Sequence, residues 1–290
     1  MHQNQNTKII DYYDATTSNY ETVWCSAKSL ALHFGYYDRT TRGHADSLLK
    51  INAVLSDMAG ITRDDYVLDA GCGIGGSAIW LAKHIGCHVV GINIAASQLQ
   101  KATIYAIDHG VNKMVSFEKQ DYTSTSFTDN TFSVVWAQES FSHTDCKQAF
   151  INESFRILNE KGRLIIADNV LRENPPLTAH EQYTLDHWMH GWAMHGLLSL
   201  SQYQTMLKQA GFKRIEVHDI TQNTIPSLRR LNVLAIIPGR IYSFMSKFKL
   251  DRWMKERDKL LSQHVRSAYY QYRALKSGVW KYMVVVAYKN

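Results

Sequence analysis

Cysteine and proline are both scarce in this 290-residue chain, with four of each. Cys25, Cys72, Cys87 and Cys146 are scattered and form no C-x-x-C pair, which argues against a disulfide framework or a cysteine zinc site. No stretch has the composition of a linker, and internal repeats and low-complexity segments are absent. No apolar run approaches the roughly 20 residues that a membrane helix needs. The opening MHQNQNTKIIDYYD carries neither the basic nor the apolar part of a signal peptide. A soluble, reducing, cytoplasmic setting is therefore expected. Arginine is missing altogether between Asp64 and Phe155, although the formal net charge is +6. The basic residues crowd instead between Arg229 and Lys281, interleaved with aromatics.

What is present from Asp65 onward is alternation. YVLDAG, CHVVGIN, MVSFEKQD, FSVVWAQE and GRLIIADNV read as strands. Ile74–Ile85, Ala95–His109 and Asp145–Asn159 read as helices between them. Ser201–Gly211 is a further helix, FKRIEVHDI a sixth strand and WKYMVVVAYK a seventh. Such βαβ alternation predicts an α/β fold: a Rossmann-like, doubly wound, seven-stranded and mostly parallel sheet. The late return of the seventh strand makes it the antiparallel one. This core takes in 62–221 plus 279–290. Residues 1–61 are expected to form N-terminal cap helices. Segments 171–200 and 222–278 are expected as cap or lid insertions over the carboxyl ends of the strands, where ligands of open α/β sheets sit.

The stretch Asp69-Ala-Gly-Cys-Gly-Ile-Gly-Gly76 ends the first strand on an acid and turns through glycines. Gly71-x-Gly73-x-x-Gly76 matches the dinucleotide fingerprint, but that fingerprint also wants an acid about 20 residues on. Here the second strand ends in Asn93, and no arginine stands ready for a 2′-phosphate. S-adenosylmethionine (SAM) needs no phosphate cradle. Its approach is eased by glycines, and the Asp69 carboxylate can anchor its cationic end.

The segment resembles the D/E-x-G-x-G-x-G motif of class I SAM-dependent methyltransferases. GINIAASQLQKA, KQDYTSTSFTDNTFSVVWAQES and FRILNEKGRLIIAD resemble that superfamily's later motifs in order and spacing, across roughly residues 60–170. The resemblance implies a cofactor site made by Asp69, Gly71, Cys72, Gly73 and Gly75 at the methionine part, and by Asn93, Ile94 and Gln98 toward the ribose. Asp121 and Tyr122 would lie at the adenine, and Gln138 near the methionine. Many relatives carry an acid at or beside Asn93; here ribose binding is left to amides.

The preface YYDATTSNYETVWCSAKSLALHFGYYD resembles the N-terminal region of the C-methyltransferases that act on tocopherols and on the side chains of sterols. That resemblance has Tyr12 closing over SAM and His33, Phe34 and Tyr36 over the acceptor. Packing of this segment onto the domain is the plainer alternative. In WAQESFSHTD, Glu139 and His143 are the candidate catalytic residues. An alkene nucleophile would need a carboxylate near its carbocation and then a base; a phenol would need a base at its hydroxyl. The plainer readings are a helix-capping Glu139 and a solvated His143. In HWMHGWAMH, Trp188, His190 and Trp192 are expected at an apolar acceptor pocket. His187, His190 and His195 lack a completing ligand set, so no metal is expected.

Carbon methylation of a small apolar isoprenoid or prenylated aromatic is the leading expectation; the isoprenoid could carry a diphosphate gripped by Arg229, Arg230 and Arg240. Methylation at nitrogen or oxygen of a secondary metabolite is the alternative. A SAM-binding protein without turnover, or a membrane-docked scaffold, is a third. The basic stretch with Ile241, Phe244, Met245 and Phe248 at helical spacing is either an amphipathic cap or, over 241–261, a contact with an anionic membrane surface. No nucleic-acid module is visible and no nucleic-acid partner is expected. Oligomeric state is not readable.

Overall fold

The computed structural model describes residues 2–26, 28–247 and 256–290. Seven strands form one sheet: β1 (Tyr66–Ala70), β2 (His88–Asn93), β3 (Val115–Lys119), β4 (Phe132–Gln138), β5 (Leu158–Leu171), β6 (Arg214–Asp219) and β7 (Trp280–Tyr288). Their spatial order is β3-β2-β1-β4-β5-β7-β6. β1 through β5 pair in parallel, while β7 runs antiparallel between β5 and β6. The expected architecture is therefore the observed one.

The central strands are buried almost throughout because helices cover both faces. Successive side chains leave a strand on opposite sides, and the two cores follow that alternation. Val67, Val89, Val134, Ile165, Val284 and Val286 face one core. Leu68, Val90, Val135, Ile166, Val285 and Ala287 face the other. Helices α3 (Gly76–His84), α4 (Ala96–Asp108), α5 (Lys147–Ile157) and α7 (Leu200–Ala210) flank the sheet. The fifth-strand ladder starts earlier than the sequence pattern suggests: Leu158 already pairs with Phe132, which ends α5 at Ile157.

The remaining helices lie outside this core. They are α1 (His2–Asn19), followed by a π-helical turn at Tyr20–Trp24, then α2 (His44–Met58), α6 (Ala179–Gly191), α8 (Thr221–Lys247) and α9 (Glu256–Lys276). Among the described residues, no helix is long and apolar enough to cross a membrane. The chain order reverses between β1, with β2 on one side, and β4 on the other. A crevice opens outside the carboxyl ends of strands at such a point. β1 ends there on Asp69-Ala70 and β4 on Gln138, so the sheet delivers Gly71 and Glu139 to the same crevice.

Candidate functional site

A cavity fills that crevice, with about 870 Å³ of empty space when its open mouth is included. Small-molecule sites span roughly 300–1,000 Å³. Its floor is the turn after β1 and its back wall the ends of β2 and β4. Its roof is one face of α1: Asn6, Ile9 and Tyr13 line it. These stand at i, i+3 and i+7, the spacing that shares a helix face.

Ten of the twelve expected cofactor residues come together here: Asp69, Gly71, Cys72, Gly73, Asn93, Ile94, Gln98, Asp121, Tyr122 and Gln138. Gly71 sits at φ 84°, and a Cβ there would meet the Ser140 side chain at 2.6 Å. The turn is thus closed to any other residue. Gly75 and Tyr12 stand apart from the cavity. Gly75, also at φ 84°, would set a Cβ 2.7 Å from the Phe117 ring, so its constraint is the packing of α3 on β3. Tyr12 points about 100° round α1 from Tyr13, and its hydroxyl lies 2.8 Å from His264 Nδ1.

The polar floor has two orphans. Asp69 is 3% exposed, and burial raises its carboxyl to about 7 against the pull of the Ala78 N–H in the first turn of α3. Its Oδ2 has no partner among the described residues, nor has Gln138 Nε2, although Gln138 Oε1 accepts from Ser77. An unmet acceptor beside an unmet donor suits a ligand end that bears an amine and a carboxylate, such as the amino-acid end of SAM. Among the described residues no lysine or arginine lines the cavity. That composition suits a nucleoside without phosphate. At the other polar end, Asp121 Oδ1 accepts from Thr123, and Oδ2 accepts from Asn6 Nδ2 at 2.9 Å. Asn93 and Gln98 hold each other: Asn93 Nδ2 donates to Gln98 Oε1 at 2.8 Å, and Gln98 Nε2 donates to Thr17 on α1. The Tyr122 hydroxyl donates to the Ser140 carbonyl, leaving its ring as wall.

Glu139 and His143 also line the cavity. Glu139 adopts φ 52°, a left-handed conformation rare outside glycine and costing on the order of 1–3 kcal/mol. That turn reverses its side chain over the sheet end. Its Oε1 accepts from the Phe34 N–H at 2.7 Å and from the Tyr282 hydroxyl at 2.8 Å. Oε2 has no hydrogen bond among the described residues. Burial raises the carboxyl to about 8; the two donors oppose the shift and the nearby Asp168 adds to it. Among the described residues it caps no helix. Burial lowers His143 to about 4. Its Nδ1 lies 3.2 Å from the Ala193 carbonyl, which can only accept, so Nδ1 carries the proton and Nε2 accepts from the Tyr13 hydroxyl at 3.1 Å. Both ring nitrogens are thereby engaged.

Of the expected acceptor residues only His33 lines the cavity. Its Nδ1 donates to the Phe34 carbonyl, and Nε2 is buried without a partner among the described residues. Phe34, Tyr36, Trp188, His190 and Trp192 lie elsewhere. Phe34 contributes its backbone to Glu139 while its ring packs on Tyr282 and Trp192. Tyr36 is half-buried against the core beside it. Trp188 is fully buried 4.9 Å from the Trp280 ring, and the Trp192 indole N–H donates to the His264 carbonyl. Their large apolar faces are consumed between α6, α9 and β7. His190 is exposed on the far side of α6. No described residue of 171–200 or 222–278 lines the cavity, and α9 packs against α1 instead.

Tyr13 and Asn6 line the cavity and Tyr282 bonds Glu139, and none of the three is among the residues expected from the sequence. The heptad-like spacing of Asn6, Ile9, Tyr13 and Thr17 was the available signal for the first two. Tyr282 offered none, being brought from 143 residues away.

The buried imidazoles carry a consequence for stability. Burial lowers His33 and His264 from 6.5 to about 4. A group held neutral in the fold but free to protonate when unfolded contributes stability above the unfolded value, and that contribution is lost as pH falls toward the folded value. Calorimetric Tm is therefore expected to drop between pH 6.5 and about 4, with a shallower slope in His264→Gln. An unchanged slope would assign the acid sensitivity to other groups.

Fold and site together define a class I SAM-dependent methyltransferase, and the chain belongs to that family. Residues 67–162 match the family described as Methyltransferase domain. The chain is 31% identical over 216 residues to 27-O-demethylrifamycin SV methyltransferase of Amycolatopsis mediterranei (strain S699), covering 74% of this chain and 77% of that one. It is 28% identical over 222 residues to sterol 24-C-methyltransferase of Kluyveromyces lactis, covering 76% of this chain and 58% of that one. The chain thus spans less than two thirds of the sterol enzyme's length. Among solved structures, a geranyl diphosphate methyltransferase in complex with GPP and sinefungin superposes with a TM-score of 0.72 at 18% identity, covering 99% of both chains. At that identity the likeness shows the fold.

Proposed function

We propose that this chain transfers the methyl group of SAM to a carbon of a small, uncharged isoprenoid or prenylated aromatic acceptor. The observation that carries this reading is Glu139: a half-buried carboxylate at the end of β4, one oxygen held by two donors and the other without a hydrogen bond among the described residues, in the same cavity as Asp69 and Gly71. The name of the sterol 24-C-methyltransferase supports carbon as the acceptor atom, and that of the geranyl diphosphate methyltransferase supports an isoprenoid. The absence of lysine and arginine from the described cavity lining favours an uncharged isoprenoid over a diphosphate. Arg229, Arg230 and Arg240 are exposed on α8 outside the cavity.

When bound, SAM supplies an electrophilic methyl on a positively charged sulfur. Asp69 would take its amine, Gln138 its carboxylate, and the Asp121 end its adenine. Asn93 and Gln98 present their amides toward the ribose. Ile9, Tyr13 and Leu32 keep water from the reacting end, which alignment of nucleophile and methyl requires. Attack by an alkene on that methyl would form a carbon–carbon bond as the sulfur–methyl bond breaks, releasing neutral S-adenosylhomocysteine and leaving the positive charge on the acceptor's adjacent carbon. The ionised Glu139 stabilises that charge, and its Oε2 then takes the proton from the neighbouring carbon, restoring a double bond. His143 is a positioning residue, since its hydrogen bonds fix Tyr13 rather than leave a nitrogen for the acceptor. A positive charge close by favours the ionised carboxylate, so a bound sulfonium would pull Glu139 below its free-protein value.

Two experiments test this. Incubation with SAM bearing a ¹³C methyl and a panel of isoprenoid alkenes is expected to place the label on carbon in the product NMR spectrum; label found only on oxygen or nitrogen would end the carbon reading. That second outcome is the alternative, heteroatom methylation, which the name of the rifamycin relative favours. Separately, the Tyr282 hydroxyl stabilises the Glu139 carboxylate, so its loss raises the Glu139 pKa. Activity that requires the ionised form rises with pH through that value. In Tyr282→Phe the rising limb of turnover against pH, at saturating SAM, is expected to move upward by about one unit. A limb that stays in place would remove Glu139 as the base.

A further inference from the structure

Helix α8 presents a surface that the cavity does not explain. Its 27 residues include Arg229, Arg230, Arg240 and Lys247 and no aspartate or glutamate. Val233, Ile237 and Ile241 are 59%, 70% and 55% exposed. They stand at i, i+4 and i+8, and so form one stripe along the helix. At about 100° per residue, and leaving aside any bend at Pro238, Arg229, Arg240 and Lys247 fall within roughly 20° of a single line along one border of that stripe, while the exposed Arg230 stands within its arc at the N-terminal end. On the opposite border, Leu234 dips into a shallow apolar depression shared with Val23, Trp24 and Val265. Val23 is itself 55% exposed. Single exposed apolar residues are ordinary on soluble proteins, but an aligned and contiguous set marks an interaction surface.

We propose that this face of α8 docks on an anionic lipid bilayer, with Val233, Ile237 and Ile241 entering the boundary between headgroups and acyl chains, and Arg229, Arg240 and Lys247 meeting the anionic headgroups. An apolar stripe edged by cations is what lies stably in that plane. Charge selects this occupant over a second copy of the protein. Two copies of the face set against each other would oppose cationic rows with no acid on either helix to answer them. The surface differs from the stretch 241–261 that the sequence suggested: it begins at Val233, and residues 248–255 lie outside the described part. The docking does not depend on which acceptor is methylated.

The test uses the full-length protein. In flotation, the protein is expected to rise with phosphatidylcholine vesicles containing phosphatidylglycerol, to stay behind with vesicles of phosphatidylcholine alone, and to be released as salt is raised. The double variant Ile237→Asp, Ile241→Asp is expected to lose roughly tenfold or more of the binding, and Arg229→Glu with Arg240→Glu to lose the preference for phosphatidylglycerol. All four side chains are exposed, so Tm and affinity for S-adenosylhomocysteine should stay at wild-type values and report that the fold is intact. Failure of the wild type to float, equal flotation of the apolar variant, or a concentration-dependent dimer in light scattering that Ile237→Asp abolishes would each overturn the proposal. The last would assign the face to a second copy.

Discussion

Glu139→Gln is expected to lower turnover by about 10²- to 10⁴-fold, the range that a positioned acid or base contributes, while affinity for S-adenosylhomocysteine changes little. The substitution is nearly isosteric. A glutamine Oε1 can still accept from the Phe34 N–H and the Tyr282 hydroxyl, the two bonds that tie the β4 end to the N-terminal segment and to β7. The left-handed backbone at this position is the same for either side chain. What is lost is the negative charge and the ability of Oε2 to take a proton. Turnover and calorimetry on the same preparation separate the cases. Parallel losses of turnover and binding would make Glu139 a structural strut.

Asp69→Asn is expected to act on the other axis. A hydrogen bond to a charged group contributes about 1.5–3 kcal/mol, so affinity for S-adenosylhomocysteine should fall by roughly 10- to 100-fold. Stability should not fall with it. Burial already holds the Asp69 carboxyl at about 7, far above the ordinary carboxylate range, so the fold works against its ionisation. Stability from such a raised group is present below its unfolded value and lost as pH rises through the folded one. Asparagine removes that opposition, and Tm near pH 8 should hold or rise. Calorimetric titration with S-adenosylhomocysteine and a thermal scan check both halves. Binding unaffected by the change would place the amino-acid end of the cofactor elsewhere.

These two residues also show how far the sequence could be read. Asp69, Gly71 and Gln138 were legible because each sits at a strand end, and strands alternate with helices in a pattern set by local periodicity. The switch between β1 and β4 follows from that order, and so does the cavity. The same logic fails for residues whose role depends on the phase of a helix or on distant pairing. Tyr12 and Tyr13 are adjacent, and only the docking of α1 decides that Tyr13 faces His143 while Tyr12 faces His264. Trp188 and Trp192 read as pocket walls because they are large and apolar. Yet α9 and β7 offered them a drier surface, and Trp188 ended fully buried beside Trp280. His33 lines the cavity, but its neighbour Phe34 reaches Glu139 through a backbone N–H, which no side-chain pattern reveals.

On the proposed reading Glu139 shares its cavity with the sulfonium, close enough to feel its charge. With glutamate ¹³C-labelled at the carboxyl carbon, NMR can follow the titration of Glu139 directly, assigned by its absence from Glu139→Gln. The free protein should titrate near 8. Addition of SAM, whose sulfur is charged, should move the titration clearly downward, whereas S-adenosylhomocysteine, whose sulfur is neutral, should leave it much closer to the free value. The same titration with both ligands would mean that Glu139 does not face the transferring methyl.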